Sequence, residues 1–183
     1  TKIFFPSKLK ELEEGWNNSM YKIKNFSVSK FNKNFCTIDN KMIVSKSNST
    51  SNEYDVLLLI SSKTKEFIVP PNIKHIRPYC FSNCKHLKTI KFSENSELLS
   101  IGKYAFSNTA IESLSLPSKL KEISDLWSEN ALNLMNVSLS SANSNLALID
   151  GNLLVGKSNQ SKENYDVLLF ANRYIKQAII PPF

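Results

Sequence analysis

The residues in this chain best suited to chemistry are cysteine and histidine. Cys80 and Cys84 lie just before His86, and the other histidine, His75, lies upstream. A thiol beside an imidazole can form an activated nucleophile, and the same atoms can hold part of a metal shell. Neither chemistry is complete here. A triad or a zinc site is recognised by geometry and a full ligand set, and the local spacing around Cys80, Cys84 and His86 supplies neither; the chain's other candidates are Cys36 and His75. Three thiols cannot all pair, and one helical turn between Cys80 and Cys84 would aim their Cβ atoms poorly for a disulfide. Four glycines leave no phosphate-cradling loop. The expectation is no catalytic residue, no metal, no cofactor and no enzyme activity.

Charge narrows the partners further. The net charge of +7 comes from 23 basic and 16 acidic side chains, but Arg77 and Arg173 are the only arginines. Lysine is a hydrated point charge without the planar fork that grips phosphates and guanine edges, so scattered lysines predict solvated surface and no nucleic-acid partner. The longest apolar runs, such as Val56 to Ile60, are far short of the roughly 18 to 20 residues of a spanning helix, so this segment is expected to insert in no membrane. No signal peptide is visible: the chain opens on the strand-like Lys2-Ile3-Phe4-Phe5-Pro6. Sequons stand at Asn17, Asn25, Asn48, Asn136 and Asn159, yet about four are expected by chance in a chain this rich in Asn, Ser and Thr.

The elements that carry these residues repeat at two scales. Pro6-Ser7-Lys8-Leu9-Lys10-Glu11 reappears as Pro117-Ser118-Lys119-Leu120-Lys121-Glu122, and the offset of 111 then holds without a gap. It superimposes Trp16 on Trp127, Ile38-Asp39 on Ile149-Asp150, and Tyr54-Asp55-Val56-Leu57-Leu58 on Tyr165-Asp166-Val167-Leu168-Leu169. Block 6–71 is duplicated as 117–182, with roughly two in five positions identical. Inside it run apolar-x-apolar triplets: Ile3/Phe5, Phe26/Val28, Phe67/Val69, Ile90/Phe92, Leu114/Leu116, Val137/Leu139 and Ala178/Ile180. Their first members are 23, 41, 23, 24, 23 and 41 residues apart, so each long step is a 23-residue unit with 18 residues added.

A unit of this length with a strand-like triplet predicts a leucine-rich-repeat solenoid. Residues 1–183 then form a single domain of about seven rungs, a fragment of a longer protein. The class is α/β and β-rich: a curved parallel sheet on the concave face, short helices or turns on the convex face, and two β-hairpin insertions. The first hairpin pairs Lys41–Val44 with Asp55–Leu59 across the polar Ser45 to Glu53; the second pairs Leu153–Val155 with Val167–Phe170. Sets such as Ile73, Ile76, Tyr79, Phe81, Cys84 and Leu87, spaced three to five apart, close each unit on its convex side. Cys84 becomes core, and His75 and His86 become exposed spacers.

Ile76-Arg77-Pro78-Tyr79-Cys80-Phe81-Ser82-Asn83-Cys84-Lys85-His86-Leu87-Lys88-Thr89-Ile90 and Ile101-Gly102-Lys103-Tyr104-Ala105-Phe106-Ser107-Asn108 resemble the BspA-like, or Treponema pallidum-type, leucine-rich repeat. Thr109 departs from that pattern where it has Cys, and the units at Trp16 and Trp127 lack the Ala-Phe pair. The resemblance implies a cell-surface or secreted protein that adheres to host cells or extracellular-matrix proteins. An intracellular scaffold holding a protein assembly together is the alternative.

The strand period also nominates a binding surface. Middle residues of the triplets form one outward column: Phe4, Ser27, Ile68, Lys91, Ser115, Ser138 and Ile179. A second column, two residues earlier, holds Lys2, Asn25, Glu66, Thr89, Ser113, Asn136 and Gln177. Phe4, Ile68 and Ile179 are apolar where water is expected, which marks an interaction site unless a loop covers them. Glycans at Asn25 or Asn136 would obstruct this face. Tyr54 and Tyr165, near the hairpins, are placed to pack against neighbouring units or to serve a second surface.

Overall fold

The computed structural model describes residues 2–18, 20, 23–159, 161–177 and 179. In chain order its strands are β1 (Lys2–Phe5), β2 (Asn25–Val28), β3 (Phe35–Ile38), β4 (Met42–Ser45), β5 (Val56–Ile60), β6 (Glu66–Val69), β7 (His75–Ile76) and β8 (Thr89–Phe92). They continue as β9 (Ser100–Ile101), β10 (Ser113–Leu116), β11 (Glu122–Ile123), β12 (Asn136–Leu139), β13 (Ala147–Ile149), β14 (Leu153–Gly156) and β15 (Val167–Ala171).

The apolar triplets become parallel rungs in the register their spacing demands. β1 pairs β2 with Ile3 opposite Phe26, β6 pairs β8 with Phe67 opposite Ile90, and β10 pairs β12 with Leu114 opposite Val137. β8 runs alongside β10. Alternation at period two buries Phe67, Val69, Leu114 and Leu116 and turns the intervening residues outward. The seventh triplet, Ala178/Ile180, lies outside the described residues.

Each unit meets its neighbour along two further ladders. The two-residue strands β7, β9 and β11 pair in parallel, so Ile76, Ile101 and Ile123 stand in line. Beyond them the chain turns without forming a helix anywhere among the described residues, which corrects the expectation of short convex helices. The backbone shows why. Amides of Tyr79, Phe81 and Asn83 donate across to the carbonyls of Lys103, Ala105 and Ser107 at 3.1, 2.8 and 2.9 Å, while those of Cys80, Ser82 and Cys84 donate three residues back at 3.2, 3.1 and 3.1 Å. A helix would send every amide to its own i−4 carbonyl. Left-handed residues keep the alternation going: Tyr79, Asn83, Tyr104, Asn108, Leu126 and Asn130 have φ of 54 to 60°. Asparagine tolerates this conformation, whereas tyrosine and leucine are strained in it. The Tyr79 and Tyr104 rings stack at 5.0 Å, a favourable contact that offsets part of that cost.

Aromatic rings continue the stack inside. Phe81 lies flat on Phe106, with centroids 4.9 Å apart and an interplanar angle of 7°, and Phe106 meets Trp127 edge-on at 5.9 Å. Trp127 thus takes the phenylalanine slot of a unit without the Ala-Phe pair, and its indole N–H donates to the Leu169 carbonyl at 3.0 Å.

The insertions are three-stranded meanders, β3–β4–β5 and β13–β14–β15, and not simple hairpins. Tight turns with positive φ at Asp39-Asn40 and at Asp150-Gly151 join the first two strands of each, the geometry of a type I′ hairpin turn. β5 also pairs in parallel with β7, which joins the first meander to the short ladder in one sheet of order β11-β9-β7-β5-β4-β3. That meander is buried on both sides. Met42, Val44, Leu57 and Ile60 join the large core that runs on through Ile76 and Phe106, while Ile43, Leu58 and Leu59 pack with Phe5, Ile23 and Phe35 in a second core.

One asparagine fastens each meander to the unit before it. Asn32 Nδ2 donates to the Pro6 and Leu9 carbonyls at 2.7 and 3.0 Å, and its Oδ1 accepts from the Asn34 and Phe35 amides at 2.8 and 2.9 Å. Asn143, its counterpart at the 111-residue offset, repeats all four bonds to Pro117, Leu120, Asn145 and Leu146 at 2.8 to 2.9 Å. Replacing Asn143 with Ala or Asp should lower the free energy of unfolding by about 2 to 4 kcal/mol, because Ala removes four hydrogen bonds at once and a carboxylate cannot donate to the two carbonyls. A lower urea midpoint with unchanged slope is the expected result in chemical denaturation.

Candidate functional site

The outward residues of the long rungs form a registered array. In the middle column Phe4 stands opposite Ser27, Ile68 opposite Lys91 and Ser115 opposite Ser138; in the second, Lys2 faces Asn25, Glu66 faces Thr89 and Ser113 faces Asn136. Ile68 is 67% exposed and Phe4 58%. Ser138 donates to Ser115 Oγ at 2.8 Å, which ties two rungs together on the open face. Gln177 is exposed and Ile179 is 74% exposed, but neither belongs to a described strand. The columns are not one continuous sheet: β1–β2, β6–β8 and β10–β12 are separate strand pairs, and the first meander falls between β2 and β6 in the chain.

The cysteines and histidines stay apart in function. Cys80 and Cys84 are buried and burial pushes both thiols up, Cys84 to about 12, so neither supplies thiolate near neutral pH. His86 is exposed. His75 is no exposed spacer: it sits half-buried in β7, with Nδ1 2.8 Å from Ser100 Oγ on the neighbouring rung.

That pair lies in a cleft of about 1220 Å³ that escaped the sequence reading. Its floor is the β5–β7–β9 sheet with His75, Arg77 and Ser100; one wall is the segment from Lys10 to Trp16, and the other is the hairpin loop around Lys46 to Ser49. A residue pair at i and i+2 in a rung, His75 and Arg77, falls on one face of the sheet. Reading the short ladder as strand would have revealed it. The cleft mixes Lys10, Lys46 and Arg77 with Glu11 and Glu14 and favours no single ligand charge.

The meander loops are held by a duplicated clasp. Ser47 donates its amide and hydroxyl to Asp55 at 2.8 and 2.7 Å, and Ser158 does the same to Asp166 at 2.7 Å. Lys162 also pairs with Asp166. Lys46 lies over the Tyr54 ring at 5.4 Å and Lys157 over Tyr165 at 5.5 Å. Tyr54 packs against the large core.

The sequence profile of the BspA-type leucine-rich repeat region, a set of six copies, matches residues 58–159. The chain belongs to the BspA-type leucine-rich repeat family. Solved structures with the same fold include a leucine-rich repeat protein from Eubacterium ventriosum, 20% identical with a TM-score of 0.65 over 82% of this chain and 39% of that one. The pneumococcal vaccine antigen PcpA is 18% identical, TM-score 0.56, over 80% of this chain and 40% of its own. A leucine-rich cell-surface protein from Faecalibacterium prausnitzii is 15% identical, TM-score 0.50, over 86% and 43%. At these identities the likeness concerns the fold, and the BspA-type chain spans about two fifths of each solved structure. No curated protein sequence matches.

The Asp55 clasp is expected to contribute an acid-sensitive part of the fold's stability. Burial disfavours the Asp55 carboxylate, but hydrogen bonds from the Ser47 hydroxyl and amide and from its own amide, with Lys74 nearby, outweigh burial and hold its pKa below the usual value. A depressed folded-state pKa contributes stability at neutral pH that is lost as pH falls from the ordinary carboxylate range through the folded value. Thermal unfolding should therefore show a melting temperature that drops in acid, with a shallower drop in Asp55→Asn.

Proposed function

We propose that residues 1–183 form one solenoid unit that binds a partner protein through the outward columns of its long rungs, as part of a cell-surface protein. The contact residues are Phe4, Asn25, Ser27, Glu66, Ile68, Thr89, Lys91, Ser113, Ser115, Asn136, Ser138, Gln177 and Ile179. One observation carries the reading: Ile68 is two-thirds exposed in the middle of a paired strand, with Glu66 two residues before it and Lys91 opposite. A paired strand fixes this side chain in the open, so burying it on a partner would recover about 1.5 to 3 kcal/mol without ordering new backbone. Exposed Phe4 supports the same use of β1. The role requires no cofactor and no catalytic group.

The partner class we propose is a host-cell or extracellular-matrix protein. Family membership supports a surface location, since related folds include a vaccine antigen and a cell-surface protein. The intracellular scaffold is favoured by exposed Leu132 and Met135, 66% and 43% open, which lie beyond the outward columns and would suit a permanent partner.

Immobilised matrix proteins offered to the purified chain test the proposal. Ile68→Asp and Lys91→Glu should each weaken binding about tenfold or more, the effect of removing a central contact, while circular dichroism and melting temperature stay unchanged. Equal affinity for wild type and both variants would remove the outward columns as the docking surface.

A further inference from the structure

The five sequons occupy three kinds of place in the fold. Asn17 is 5% exposed and its amide donates to the Leu58 and Pro78 carbonyls at 3.4 Å, so the native fold has no room for a substituent there. Asn25 and Asn136 lie in paired strands, and the Ser138 hydroxyl is committed to Ser115. Asn48 and Asn159 stand exposed on the polar loops of the two meanders.

Among the described residues, the sequon hydroxyl bonds its own asparagine only at those loops. Asn48 Oδ1 accepts from the Thr50 amide and hydroxyl, both at 3.0 Å, and Asn159 Oδ1 accepts from the Ser161 amide and hydroxyl at 3.0 and 2.9 Å. The Ser47–Asp55 and Ser158–Asp166 clasps hold each loop just beside the acceptor. Between the two copies the middle residue changes from Ser49 to Gln160 and the third from Thr50 to Ser161, yet asparagine and hydroxyl both persist.

We propose that Asn48 and Asn159 are the N-glycosylation sites of this chain, accepting an oligosaccharide from a lipid-diphosphate donor through a membrane-bound transferase. Asn Nδ2 forms the bond to the anomeric carbon and loses one proton to the transferase's base. The carbon–oxygen bond to the lipid diphosphate breaks, and the diphosphate leaves with the electron pair. The inference rests on the surface reading, because only a chain that enters a secretory compartment meets this donor. Glycans on the meander loops leave the outward columns of the rungs open, whereas glycans on Asn25 or Asn136 would cover them.

The test is intact mass of the full chain secreted behind a leader from a eukaryotic host, before and after peptide-N-glycosidase. Wild type should carry two glycans, Asn48→Gln and Asn159→Gln one each, and the double variant none. An unmodified wild type, a glycan retained in the double variant, or enzymatic conversion of Asn17, Asn25 or Asn136 to aspartate overturns the assignment. Matrix-protein affinity of Ile68→Asp reads the docking proposal separately, so either can fail alone.

Discussion

No unit of this chain can shelter its own apolar side, and the whole structure depends on each rung being roofed by the next. The dependence is both apolar and polar. Phe67 against Ile90 and Phe81 against Phe106 cover one another across the step, while the amides of Tyr79, Phe81 and Asn83 find acceptors only in the following turn. A buried amide without an acceptor costs as much as a lost hydrogen bond, so a rung cannot leave the stack without stranding its neighbour's donors. Stability in such an array is a sum of unit and interface contributions, and it fails locally where an interface is weakest.

The first meander shows how an insertion can be accommodated without breaking that rule. Its 18 extra residues do not loop away from the solenoid. β5 pairs with β7 in the short ladder, and β4 and β5 become a wall with apolar residues on both sides. The division follows from strand alternation: neighbours such as Leu57 and Leu58 point into different cores. A register shift at Ile43/Val44 resets the alternation against β5, and the same shift recurs 111 residues on at Leu154/Val155. Such recurrence marks the bulge as a designed part of the unit.

Much of this was legible because period-two alternation and fixed unit length leave little freedom. The triplet spacing of 23 residues predicts Ile3 opposite Phe26 and Leu114 opposite Val137, and the strands pair in that register. Two features were not legible from apolar spacing alone. Ile73, Ile76, Phe81 and Cys84 have near-helical intervals, but their backbone is set by amides reaching the next unit, a contact no local period encodes. β3 and β13 depend on turn chemistry and not on apolar spacing: Asp150-Gly151 is a strong short-range hairpin signal, and Asp39-Asn40 takes the same left-handed turn without a glycine. The cleft was hidden for the same reason as the short ladder that forms its floor. The outward columns could be named residue by residue, since alternation alone decides which side chains face away from the core.

The duplicated segment separates what a local sequence determines from what its neighbours determine. Tyr-Asp-Val-Leu-Leu occurs at 54–58 and again at 165–169, and in both places serine and aspartate form the same clasp beneath the same cation–π pair. Burial differs sharply. Leu57 is fully buried where β7 pairs with β5, whereas Leu168 is 45% exposed and β15 has no partner on that side among the described residues. Asp55 is correspondingly shielded and Asp166 open, with Lys162 replacing the neighbouring unit's Lys74 as its counter-charge. The clasp is therefore a property of the loop, and the burial of its carboxylate is a property of the stack: the same serine bonds hold both Asp55 and Asp166 below the usual carboxylate range, but only a roofing rung takes the carboxylate out of water.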